Sequence, residues 1–219
     1  MTPTLSKTDQ TQTNHRFLRP LFMSDMWPIE KRFIPQAEID KGPFHQLPLN
    51  KLWLGLWLLF ITSLTCAFNG AILSLEAMVL CAISPLLARL TALDLKHLIL
   101  LDIYTLPLAL IGLIYSFWSS HVTPVESFFG VVVAGFSLLI LNFISEKMDK
   151  HSGIGGGDIK FCLAAGAFVG VLNLHYFFWL AFFFALLLWP VLRAYNKHIS
   201  FGPALILALW SFMLFKHLL

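Results

Sequence analysis

From Leu52 to Leu218 the chain is one apolar run after another, parted only by short polar breaks. The runs cover about residues 52–68, 71–93, 98–118, 124–144, 159–172, 174–193 and 202–218. A helix needs about 20 apolar residues to cross a bilayer, and a helix satisfies its own backbone in hydrocarbon. The expected fold is therefore an all-α polytopic membrane protein with about seven transmembrane helices, six to eight at the extremes. The fifth run is short, and its division from the sixth at Asn173 leaves open six spans with a long, bent fifth helix. Composition agrees: the 219 residues are 58% hydrophobic and 12% charged, against about 45–50% and 25% for soluble chains. The net charge of +3 does not point to nucleic acid, because the basic residues lie near the ends of runs rather than in one patch.

Those basic residues orient the runs. Residues 1–50 form an N-terminal arm, partly disordered, with a Thr/Gln/Asn-rich start and Pro20, Pro28, Pro35, Pro43 and Pro48. The arm lacks the short apolar core of a cleavable signal peptide, so insertion rests on the domain at 51–219. Arm and first run together carry Lys7, Arg16, Arg19, Lys31, Arg32, Lys41 and Lys51. With the arm in the cytoplasm, alternation brings Lys96, then Lys147 and Lys150, then Arg193 and Lys197 to the same side. The opposite loops at 69–70, 119–124 and 173–175 hold no Lys or Arg, which is the bias that sets membrane orientation. Cys66, Cys81 and Cys162 all fall within apolar runs without a C-x-x-C pair, and are expected as small buried residues rather than a zinc site or disulfide.

Ionisable residues in or beside the runs need a reason to be there. Glu126 follows Pro124 at the start of a run, where a carboxylate favours a helix N-terminus. Arg89, one turn from a run's end, is expected to snorkel towards water, and Glu76 is expected to be structural. His97 and His151 have no ligand spacing that would make a metal site. Asp94, Asp102 and Asp158 remain. Asp158 ends Gly153-Ile154-Gly155-Gly156-Gly157-Asp158, immediately before Ile159-Lys160 and an apolar helix. Glycines there let an extended peptide backbone approach the carboxylate. Two carboxylates from different helices can share a proton and activate a water against a peptide carbonyl, one as base and the other as acid. That chemistry needs no metal or cofactor. On residues alone, either Asp94 or Asp102 could partner Asp158.

Three stretches resemble the type IV prepilin peptidases, members of the GxGD intramembrane aspartic proteases. Gly153 to Phe161, continuing into Leu163-Ala164-Ala165-Gly166-Ala167, is similar to the GxGDxK motif and the small-residue helix after it. Asp94 to Asp102, followed by Thr105-Leu106-Pro107-Leu108, is similar to the D-x6-P-D-x-x-T-L-P-L segment. Ser200-Phe201-Gly202-Pro203-Ala204 is similar to the PFGP stretch, with Ser200 for its first proline.

The resemblance implies Asp94 and Asp158 as the catalytic pair and Asp102 as an accessory acid. It makes Gly155, Gly156, Gly157 and Lys160 a substrate-facing motif loop, with Lys160 expected to meet headgroups or that loop. It also implies prepilin-like substrates of type IV pili or type II secretion, cut at a basic leader on the cytoplasmic face of the bacterial inner membrane. Two departures stand out. Leu101 replaces the usual proline, which would loosen or shift the turn after the first Asp. The four-cysteine zinc domain linked to N-methylation has no counterpart here, so cleavage is implied and methylation is not supported. A proton-coupled transporter would also place carboxylates in a membrane, but would call for more buried charge or an internal repeat. A catalytically silent assembly subunit is the other alternative.

Overall fold

A computed structural model describes residues 48–68, 75–148, 155–195 and 201–215. These fold into helices joined by turns, with no strand among the described residues. The helices are α1 (Leu49–Phe68), α2 (Leu75–His97), α3 (Asp102–Tyr115), α4 (Pro124–Met148), α5 (Gly156–Val169), α6 (Leu174–Tyr195) and α7 (Gly202–Phe215). Most of the expected N-terminal arm, and with it Gly153, Ile154, His151, Lys150, Lys197, Ser200 and Lys216, lies outside the described residues. The fifth and sixth runs are two helices rather than one bent one. They part where Gly170 takes φ 72° and its N–H closes α5 on Gly166 O.

The central helix is α5, which packs against α3, α4 and α7. Its middle is small: Ala164, Ala165, Gly166 and Ala167 are buried. Gly166 meets Gly130 of α4 so closely that a Cβ on either would collide with the other's carbonyl oxygen. Small residues let helix backbones touch in this way. Ser127 Oγ then donates to Ala167 O at 2.7 Å across the same seam. On the other flank, α1 docks where Pro85 interrupts α2. Proline withholds the N–H that would bond the carbonyl four residues earlier, and Ser84 Oγ donates to that carbonyl, Cys81 O, at 2.8 Å. Trp57 Nε1 donates to Ser84 Oγ at 3.1 Å and Trp53 Nε1 to Pro85 O at 3.2 Å, with the two indoles stacked 5.8 Å apart.

Two ends of the bundle follow from the pairings. At one end α4 opens on a reciprocal capping box. The Thr123 N–H donates to Glu126 Oε2 at 3.0 Å, and the Glu126 N–H donates to Thr123 Oγ1 at 3.3 Å, with Pro124 at the first helical position, as such starts favour. Glu76 is buried there, accepting from Tyr115 Oη at 3.4 Å and lying 3.4 Å from His121 Nε2. At the other end gather the last turn of α2 and the first turns of α3, α5 and α7.

Three expectations change. Helix α2 runs on through Asp94 to His97, and α3 starts at Asp102 rather than near residue 98, because residues 98–101 form a turn. Arg89 does not snorkel: it is 1% exposed, and its Nη1 donates to Asn50 Oδ1 at the start of α1, 3.4 Å away. Cys162 is buried as expected but Cys81 is exposed, because it lies on an outer face of α2. The segments Glu76–His97 and Pro124–Lys147 are long and apolar enough to cross a bilayer, while Leu49–Thr65, Asp102–Tyr115, Leu174–Pro190 and Gly202–Phe215 are shorter apolar helices.

Candidate active site

Asp94 sits in the last turn of α2, and its side chain is buried, 4% exposed. The helix stops abruptly after it. Leu98 takes φ 59° while its N–H still reaches Asp94 O at 2.8 Å. That left-handed conformation costs a residue with a Cβ roughly 1–2 kcal/mol, and strain of this kind gathers at functional turns. The chain then turns through Ile99 and Leu100 to Leu101, which precedes α3 at φ −79° and ψ 131°. Proline reaches that φ as well, so Leu101 holds a backbone angle that a proline at this position would also take. Its side chain, 4% exposed, joins the core instead.

The first turn of α5 comes up against this turn. Gly155 is the N-cap and Asp158 falls in the first turn, where the helix dipole favours a negative charge. A Cβ on Gly155 would rest in ordinary contact with Asp158 Oδ2 at 3.4 Å, whereas one on Gly157 would strike Leu100 Cβ at 2.7 Å. Gly156 faces open space: a Cβ there meets nothing within 4 Å. One glycine of the motif thus serves helix packing, and another leaves open space at the start of α5. Two residues beyond Asp158, Lys160 Nζ lies 2.6 Å from Asp102 Oδ2. The partner of Lys160 is therefore α3, where the sequence pointed to headgroups or the motif loop.

The third wall is α7. A Cβ on Gly202 would collide with Asp94 Oδ2 and come within 3.2 Å of Leu100 Cδ1. Leu100 consequently packs against both Gly157, one residue before Asp158, and Gly202, against which Asp94 rests. The helices α3, α5 and α7 all begin at this end of the bundle, with their positive dipole ends. Asp102 is different: it is half exposed and neutralised by Lys160. Sequence reasoning missed the parts of Leu98, Leu100 and Gly202. A resemblance marked Gly202, but only the position of Asp94 explains why the residue there has no side chain.

Residues 81–190, half of the chain, match the type IV leader peptidase family. The chain belongs to that family. The matched stretch takes in Asp94, Asp102, Asp158 and Lys160 and stops short of Gly202. Among curated proteins, the chain is 31% identical over 129 residues to the prepilin leader peptidase/N-methyltransferase of Neisseria gonorrhoeae, covering 58% of this chain and 45% of that one. It is 29% identical over 136 residues to the protein of the same name from Vibrio cholerae, covering 61% and 54%. The chain thus spans about half the length of the curated relatives it matches. No solved structure matches it.

Proposed function

We propose that this chain is a membrane-embedded aspartic endopeptidase that removes basic leader peptides from prepilin-like proteins, such as those of type IV pili or type II secretion. Its site would lie at the cytoplasmic face of the bacterial inner membrane. What supports the reading is the packing of Leu100 against both Gly157, one residue before Asp158, and Gly202, against which Asp94 rests, at the end of the bundle where α3, α5 and α7 begin. The names of the relatives point to the same substrates. The outward faces support the membrane: Phe128, Phe136 and Phe143 of α4 and Trp179, Phe183 and Leu187 of α6 are all exposed, more contiguous apolar surface than a water-soluble monomer sustains.

In this mechanism the two carboxylates share one proton. The ionised one takes a proton from a water as its oxygen attacks the scissile carbonyl carbon, forming a tetrahedral intermediate. The protonated one gives its proton to the departing amine as the C–N bond breaks. The open side of Gly156 admits the extended substrate backbone. Asp94 is favoured over Asp102 as the partner of Asp158, because Asp102 is held by Lys160 whereas Asp94 is buried against Gly202.

The test is leader loss from a prepilin-like substrate in cells lacking their own leader peptidase, at matched abundance of each variant. Asp94→Asn and Asp158→Asn are expected to lower cleavage by roughly 10³-fold or more, as loss of an acid or base does; Asp102→Asn should still cut. Cleavage that survives Asp158→Asn sinks the dyad. Loss with Asp102→Asn but not with Asp94→Asn means that Asp102 is the partner.

A further inference from the structure

The ion pair between Lys160 and Asp102 is not needed for the chemistry above, and its place in the fold is informative. Asp102 is the first residue of α3, eight positions after Asp94 along the turn, and Lys160 follows Asp158 by two positions on α5. Their 2.6 Å contact and the packing of Leu100 Cβ beneath Gly157 are two separate ties between the same pair of segments. One is apolar and buried, the other charged and at the surface. Between them they flank Asp158 on α5, and both reach the segment that follows Asp94.

We propose that Lys160 and Asp102 form a positioning pair that sets the register of Asp158 against Asp94; the inference rests on the peptidase reading. With side chains 52% and 50% exposed, the pair is screened by solvent and adds little to folding. What it fixes is rotation. The packing of Gly157 on Leu100 seats the first turn of α5 on its inner side, and the charged tie three residues on holds its outer side. Reacting groups displaced by about 1 Å lose up to about 100-fold in rate, so a weak contact can have a large catalytic effect.

The experiment uses the full chain in detergent with a purified prepilin-like substrate. Lys160→Gln and Asp102→Asn should each lower kcat about tenfold, within that range, with KM little changed and thermal unfolding unmoved. The double variant should fall no further than either single one. The exchanged pair, Asp102→Lys with Lys160→Asp, should recover most of the lost kcat. Losses that multiply in the double variant, a change in KM alone, or an exchanged pair no better than the singles would overturn the proposal. The contact is read separately by joining Asp102→Cys to Lys160→Cys with a bifunctional maleimide long enough to span a lysine side chain, with Cys66, Cys81 and Cys162 replaced, because the cysteines themselves would lie too far apart for a disulfide. A wild-type chain that cuts nothing defeats the peptidase reading, whereas a chain that cuts but does not cross-link defeats only the positioning pair.

Discussion

Gly202 shows what a single missing methyl group can do at this site. A Cβ there would occupy the space of Asp94 Oδ2, and the carboxylate, at the tip of a short side chain, would give way before the backbone does. Gly202→Ala is therefore expected to leave abundance and thermal unfolding close to wild type while lowering cleavage by about 10- to 100-fold, the scale of a misplaced catalytic group. Cleavage rate and melting temperature measured on the same preparation check this; equal losses in both would make Gly202 a packing residue only. Asp158 stood out in the sequence as a candidate, because four glycines precede a carboxylate at the edge of an apolar run, a pattern that a plain flexible loop would also show. The choice between Asp94 and Asp102 was not legible there. It depends on which acid meets Lys160 and which meets Gly202, and those partners lie 58 and 108 positions from their acids along the chain.

The helices themselves were largely legible as elements, because apolar runs and punctuating residues mark them. Glu126 after Pro124 marked the start of α4, and the structure adds Thr123 as the residue that caps it. The turn after Asp94 was not legible: Leu98 to Leu101 are four apolar residues without Gly, Pro or Asn, so the run read as continuous helix. Tertiary packing makes that turn, through Leu100 against α5 and α7. Two proline substitutions distinguish its two halves. Leu101 has a φ that proline accepts, and Leu100 before it is not helical, as the residue preceding proline prefers. Leu101→Pro should keep cleavage within about threefold and cost about 1 kcal/mol, the lost Leu packing being partly offset by a stiffer unfolded chain. Leu98 has the opposite sign of φ and a bonded N–H. Leu98→Pro should cost about 3 kcal/mol or more, visible as a lowered melting temperature and loss of the protein from membranes. If Leu98→Pro folded normally, the left-handed turn would be wrong.

At the scale of the whole molecule, the two ends of the bundle differ in charge in a way that the fold makes concrete. The end holding Asp94, Asp102 and Asp158 also carries Lys96 and Lys160, with Lys147 in the last turn of α4. The opposite end has Glu76, His121 and Glu126 around the turn at 116–123, and no Lys or Arg in that turn. A bilayer reads that difference as direction, basic end inward, so the acids should face the cytoplasm, where a newly made substrate still carries its leader. Direction can be measured without any cleavage. In a chain with Cys66, Cys81 and Cys162 replaced, Ser120→Cys should react with a membrane-impermeant maleimide added outside spheroplasts. Lys147→Cys should react only after the membrane is opened. Both substitutions fall on exposed positions, so a failure to label reports sidedness rather than burial. The reverse pattern would put the acids on the outer face and end the proposal of cytoplasmic leader removal, while leaving the helix pairing intact. Labelling of both from outside would mean that the apolar faces of α4 and α6 are covered by something other than a sealed bilayer.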